Sequence, residues 1–362
     1  MSGREPQHQP EHRPQPDTAA VLLLAHGTPN ILGEMAEYLA KVTGGRPLPP
    51  GVIEELQHRY AQIGLSETRG ELPPPLTRWT LAQARLLECA LAAEGHSLRV
   101  YAAMRNWHPY IADVVAQMRA DGVTRVIAIC LAPQNSRTSI GLYRRALMAA
   151  VDSTATHKPA PGAPSSAAKP AVTFVESWSE DPFLIAAFAQ RLADIYPRAS
   201  ADAGAALPVL FTAHSVPCRT IMTGEASIAG ARPGTPMQAT HDPYPVEAKR
   251  TAELVFASAA RQLPELKLKP WLFAFQSQGV AGGPWIGPTV EDTLAALAAE
   301  GHTGVILQPI GFLCDHVEIL YDIDIAFTET ARTLGLRLYR PESLNDSSLL
   351  AEALVHVVLA NA

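Results

Sequence analysis

Two stretches, Val21-Leu-Leu-Leu-Ala-His26-Gly-Thr-Pro29 and Val209-Leu-Phe-Thr-Ala-His214-Ser-Val-Pro217, follow one plan. Each is an apolar run followed by Ala-His, two small or turn-prone residues and a proline. A short apolar run bounded by Gly, Ser and Pro reads as a strand buried on both faces. Its repetition predicts two similar halves. Each strand hands a histidine to its carboxyl end, where open parallel sheets keep their ligand crevice. Two halves facing one another would present both imidazoles to a single cleft.

Further strands are expected at Leu98 to Ala102, Val126 to Leu131, Val172 to Val175, Leu272 to Phe275 and Val305 to Leu307. Helix-period segments alternate with them, which marks an α/β chain with parallel sheets. Among these helices, Leu76 to Glu94 places Trp79, Ala82, Leu86 and Ala90 on one face before Gly95 ends it. At 362 residues and 47% hydrophobic content, the chain is long enough for two domains. We expect a disordered tail over 1–17, a first Rossmann-like domain over 18–130 with a C-terminal helix at 347–362 packing back on it, and a second over 131–346. A Pro-, Ala- and Ser-rich flexible insert is expected at 153–170, and the Gly- and Pro-rich stretch 224–240 reads as a flap or loop.

Charge and cysteine usage narrow the function classes. The 29 Lys and Arg against 35 Asp and Glu show no basic concentration, so a nucleic acid finds no electrostatic footprint and a small-molecule partner is expected. No apolar stretch approaches the roughly 20 residues that cross a bilayer, and the N-terminus is not built as a signal peptide, so a cytoplasmic location is expected. The four cysteines are dispersed without a C-x-x-C pair, which argues against a zinc knuckle or a disulfide framework.

The segment Gly311-Phe-Leu-Cys-Asp-His-Val-Glu-Ile-Leu-Tyr-Asp-Ile-Asp324 also begins at the carboxyl end of an expected strand. As a helix it sets Asp315, Glu318 and Asp322 at i, i+3 and i+7 on one face. Phe312, Leu313, Val317, Ile319 and Leu320 flank them, so one carboxylate should lie against an apolar wall and hold a proton more readily. His316 points elsewhere on the helix and reads as a supporting residue. Imidazoles, a carboxylate and apolar walls suit one task well. A flat tetrapyrrole must lose two pyrrole protons before its nitrogens take a metal, and ferrous iron accepts imidazole and carboxylate ligands. His214 and Glu318 supply both functions.

At these residues the chain is similar, in order and spacing, to the ferrochelatase family. The motifs are Ala213-His-Ser-Val-Pro217, Phe275-Gln-Ser-Gln-Gly279 with Pro284-Trp-Ile-Gly-Pro288, and Gly311-Phe-Leu-Cys-Asp-His-Val-Glu318, joined by Asp242-Pro-Tyr-Pro245, Val175-Glu-Ser-Trp178 and Ala25-His-Gly-Thr-Pro29. The resemblance implies two chelatase-type Rossmann-like domains around a porphyrin cleft, and insertion of ferrous iron into a porphyrin in heme biosynthesis. It further implies a catalytic pair His214 and Glu318 and no cofactor beyond the ferrous substrate; because the cysteines are not clustered we expect no iron–sulfur cluster, and we take the chain as a monomer. The Gly-Thr-Pro opening resembles the coproporphyrin ferrochelatases, in which a tyrosine commonly stands at His26 and ligates product iron opposite His214. We therefore expect His214, Glu318 and His26 to hold iron, and His26, Arg59, Tyr60 and Tyr143 to bind the porphyrin. Arg105, just after a strand, is a further cleft candidate. Thr43 and Pro74 replace an arginine and a serine that the subfamily uses on propionates, so protoporphyrin IX stands as the alternative to coproporphyrin III. Further alternatives are a cobalt or nickel chelatase acting on a more polar tetrapyrrole, and a heme-binding or heme-transfer protein clamping iron between His26 and His214.

Overall fold

A computed structural model describes residues 18–153, 169–221, 242–266, 268–279 and 283–362. The expected tail at 1–17 and the stretch 224–240 lie outside the described residues, as does the expected insert apart from its ends at 153 and 169–170.

Strands β1 (Ala19–Ala25), β2 (Arg99–Met104), β3 (Arg125–Cys130) and β4 (Ala171–Val175) form one sheet in the order β2-β1-β3-β4. Strands β5 (Val209–His214), β6 (Trp271–Gln276), β7 (Gly304–Pro309) and β8 (Arg337–Tyr339) form a second in the order β6-β5-β7-β8. Every pairing is parallel. The second order is the first shifted by four strands, so the two repeated stretches occupy equivalent central positions. In each sheet the order reverses beside that strand, and this reversal opens a crevice at the carboxyl ends.

Helices fill the connections. Between β1 and β2 lie α1 (Met35–Thr43), α2 (Val52–Gln62) and α3 (Pro75–Ala93), followed by α4 (Ile111–Ala120) and α5 (Ile140–Asp152) around β3. Next come α6 (Pro182–Ala203) ahead of β5, α7 (Cys218–Ile221) and α8 (Tyr244–Gln262) ahead of β6, and α9 (Val290–Ala299) ahead of β7. Before β8 the chain makes α10 (Val317–Leu320), a π-helical turn (Asp322–Phe327) and α11 (Thr328–Thr333), and α12 (Ser348–Leu359) is last in order. Among the described residues no helix is long and apolar enough to cross a membrane.

The absence of polar alternation in β1 has a direct cause. Leu22 and Leu24 pack with Ile111, Val115, Ile140 and Leu147 on one face, while Val21 and Leu23 pack on the other into a core shared with Val209 and Phe211 of the second sheet. Each fully buried leucine here contributes about 1.5–3 kcal/mol. The shared core, filled by α3, α6, α8 and α12, fixes the halves relative to each other. Polar ties add direction to it. Glu247 of α8 accepts from the Asn135 backbone N–H and from Ser177 Oγ, each at 2.7 Å, and Gln134 donates to the Ile310 carbonyl at 3.1 Å.

Three details differ from the sequence reading. The first sheet does not end at 130, because β4 pairs with β3 and α5 packs on the first sheet. The inner face of α3 is Thr77, Thr80, Gln83, Ala84, Leu87 and Leu91 rather than the Trp79 stripe, because three of its residues are polar and a hydrophobic period cannot register them. Gln83 is buried because its amide donates to the Asn345 carbonyl at 2.7 Å. β8 was not anticipated, being only three residues long with arginine at one end.

Candidate active site

His214 ends β5, and Glu318 lies in the first turn of α10 beyond β7. Although 104 residues apart in sequence, His214 Nδ1 and Glu318 Oε2 are 3.0 Å apart. Their side chains remain 39% and 29% exposed, so the pair faces an opening and not packed interior. Neighbouring groups set its geometry. The Tyr244 hydroxyl donates to the His214 carbonyl at 3.0 Å, and Gln276 donates to the Glu318 carbonyl at 2.8 Å while its own oxygen accepts from Thr212 at 2.6 Å. Phe312 presents an edge to His214 at 6.5 Å and tilts against His316 at 4.8 Å, supplying the apolar wall.

Their partial burial disfavours the charged form of each group. The Glu318 charge and hydrogen bond, with Asp322 beyond, instead raise the His214 pKa above its ordinary value. Burial likewise disfavours the Glu318 carboxylate, but His214, then His316 and His26, hold its pKa at about 2. Both shifts favour an imidazolium beside a carboxylate, with the Nδ1–H donated to Glu318. The carboxylate expected to hold a proton more readily is therefore not Glu318. The carboxyl raised by burial and by the Glu318 charge is Asp322. It accepts a short hydrogen bond from Ser277 and faces Arg59 Nη1 at 3.6 Å.

The expected acidic stripe is also revised. Asp315 precedes the helix and turns away, accepting from Ser343 at 2.6 Å and Asn345 at 3.0 Å. Asp324 is engaged by Arg340 at 2.6 and 2.8 Å. Glu318 and Asp322 alone continue toward the site, and the wider π-helical turn begins at Asp322. Among the described residues no group of three or more His, Cys, Asp or Glu stands ready to hold a metal. Glu318 binds the Nδ1 side of His214, so it stands behind the ring of a metal held on Nε2 and orients that ring. The Glu318 Oε2 is thereby committed to His214.

His26 directly follows the equivalent strand, but neither ring nitrogen is free. Asn106 Nδ2 lies 2.9 Å from Nε2, and the Tyr38 hydroxyl lies 3.1 Å from Nδ1. Burial, reinforced by the Arg105 charge, lowers its pKa to about 4, so the ring is neutral near pH 7. To ligate iron through Nε2, as expected, His26 would have to give up the Asn106 contact. Tyr60 is buried, with its hydroxyl bonded to Thr28 and Tyr38 and its pKa pushed by burial up to about 12. Tyr143 is buried too, with the Arg105 guanidinium 5.6 Å from its ring centre. Arg59 does not stand free for a substrate carboxylate: besides Asp322 it bonds Glu55 and lies over the Tyr321 ring at 5.3 Å.

Tyr38, Asn106, Gln276 and Ser277 were not picked out from sequence as site residues. Asn106 had a usable signal. The parallel register matches Ala25 with Met104, so the residues just beyond are neighbours, and the Asn106 N–H donates to the His26 carbonyl at 2.9 Å. Tyr38 comes from a helix with no such register. The turn itself requires glycine. Gly27 has φ of +91°, and a Cβ there would come within 2.8 Å of the Trp107 backbone nitrogen. Gly27→Ala is therefore expected to destabilise the fold by about 1–3 kcal/mol, read as a lower denaturant midpoint with an unchanged slope.

Comparison with known proteins gives the family. The family model described as Ferrochelatase matches residues 18–362. A ferrochelatase of Acidobacterium capsulatum is 53% identical over 342 residues, 94% of each chain, and one of Herpetosiphon aurantiacus is 38% identical over 94% of this chain and 97% of its own. A coproporphyrin III ferrochelatase of Geobacillus thermodenitrificans is 30% identical over 94% of this chain and 95% of its own. Among solved structures, SirB from Bacillus subtilis with Fe3+ is similar at a TM-score of 0.47 and 13% identity, covering 95% of this chain and 96% of that one. With two repeated parallel sheets, a histidine at each central strand end and a family match across the described fold, the chain belongs to the ferrochelatase family and is a metal chelatase.

Proposed function

We propose that the protein inserts ferrous iron into coproporphyrin III. The observation that carries this reading is the His214–Glu318 contact at 3.0 Å, on a pair whose side chains remain partly exposed. Its proton balance follows from the charges. With the ring as imidazolium, Nδ1–H is donated to Glu318 and Nε2 carries the second proton. Ferrous iron takes His214 Nε2 and expels the Nε2 proton, because a ligand must give up its proton to bind. When iron passes to the four ring nitrogens, two pyrrole protons leave. One restores the His214–Glu318 pair, and the other departs by way of Asp322 or water. Two protons are thus released for each iron inserted.

The choice of coproporphyrin III rests on the coproporphyrin relatives at 30% identity and on Arg105 and Tyr143, whose donors suit a substrate with four carboxylates better than one with two. Anaerobic turnover on both porphyrins tests it, with kcat/KM expected to favour coproporphyrin III by about tenfold or more, one charged contact's worth. Equal values would leave the chelatase and remove the substrate assignment. A heme-holding protein clamped by two histidines is the poorer reading, because both nitrogens of His26 are engaged.

A further inference from the structure

We infer that Asn106 is a positioning residue that keeps His26 off the iron of the product and so lets the metallated porphyrin leave. The inference rests on reading His214 as the iron ligand.

The geometry is local and over-determined. Beyond the paired strands, Arg105 N–H donates to the Ala25 carbonyl and Asn106 N–H to the His26 carbonyl, both at 2.9 Å. These bonds set the Asn106 side chain beside the His26 ring, where its Nδ2 lies 2.9 Å from Nε2. Asn106 is 2% exposed, so the contact is held inside the wall. With Asn106 donating to Nε2, the neutral ring carries its proton on Nδ1 and can donate to the Tyr38 oxygen at 3.1 Å or the Gly27 carbonyl at 3.3 Å. Tyr38 is held in turn by Trp107, edge-on at 6.1 Å. The one lone pair of His26 that a metal could use is therefore already shared with an amide N–H, and iron must displace it.

The consequence concerns release. Two imidazoles on one iron hold a heme tightly. An enzyme that must let its product go gains from occupying one of them, and Asn106 does so without adding charge. Removing the amide should expose the lone pair.

The test uses the purified full-length chain loaded with ferric heme or ferric iron coproporphyrin III. The parent should show a five-coordinate, high-spin absorption and EPR signature. Asn106→Leu, close in volume and without a donor, should shift it toward a six-coordinate low-spin form. Transfer to heme-free myoglobin should slow by about 3–10-fold, the worth of one competing hydrogen bond. Adding His26→Phe to that variant should restore the parent spectrum, which a merely structural role for Asn106 would not do. Should Asn106→Leu fold poorly, Asn106→Ser, too short to reach Nε2, must show the same shift. A low-spin parent, or variants with the parent's spectrum and release rate, would overturn the inference. His214→Ala checks the underlying reading separately: an unchanged parent spectrum there would refute His214 as the ligand, while the Asn106 comparison still decides its own question.

Discussion

Glu318→Gln is expected to cut the turnover number for ferrous insertion by about 10²–10⁴-fold, the usual worth of a positioned proton-transfer group, while porphyrin affinity measured by fluorescence quenching stays near the parent's. The substitution keeps shape and removes charge. In the parent, burial opposes the His214 imidazolium, yet the Glu318 carboxylate 3.0 Å away keeps its pKa raised. Without that carboxylate, burial acts unopposed by its main partner and the His214 pKa falls. Iron needs the unprotonated ring, so the rising limb of the pH–rate profile should lie at the raised His214 pKa in the parent and move to lower pH in the variant. A slower enzyme with its rising limb shifted downward is the joint signature. Near-normal turnover would refute the proton-partner role.

Stability carries the same signs. The Glu318 pKa falls from 4.5 to about 2 on folding, so its contribution is present above pH 4.5 and lost as pH drops toward 2. The His214 contribution is present below its unfolded value of 6.5 and lost as pH rises through its raised folded value. The parent should therefore gain most from the pair between pH 4.5 and 6.5, and the variant's denaturant midpoint should lose that feature.

His214→Leu should abolish insertion to an equal or greater depth, about 10³-fold or more, because iron ligand and proton acceptor are lost together. Porphyrin should still bind, since the apolar walls and Arg105 remain. Combining His214→Leu with Glu318→Gln should cost no more than the worse single change, as for residues that act as one unit. Multiplying losses would show that the two work separately. Glu318 offers an independent readout. With His214 gone, burial dominates its environment, so in the single variant its carboxyl should protonate at a higher pH, visible as a carbonyl stretch in infrared difference spectra.

Much of this molecule is legible from its residues. The apolar runs at Val21 and Val209 state buried parallel strands, and their shared Ala-His ending states two equivalent strand ends. His214 and Glu318 stand out because each follows such a strand. The less readable parts depend on contacts between distant segments. Whether a helical period faces inward was misread in α3, where Thr77, Thr80 and Gln83 are buried by bonds and packing that a hydrophobic scale does not weigh. Asp315 looked equivalent to Glu318 until Ser343 and Asn345, from the segment beyond β8, drew it aside.

The sequence by itself determined the architecture and the chemical types present: two repeated parallel sheets, a histidine at each central strand end, and a carboxylate following β7. Hydrophobic burial is set by composition along each segment, so it can be read locally. Only the tertiary structure decided which atoms meet. It placed Glu318 on Nδ1 of His214, gave the raised pKa to Asp322 instead of Glu318, and occupied both nitrogens of His26 with Tyr38 and Asn106. Protonation and ligand availability depend on partners a few ångströms away in space, and those partners are up to 104 residues away in the chain.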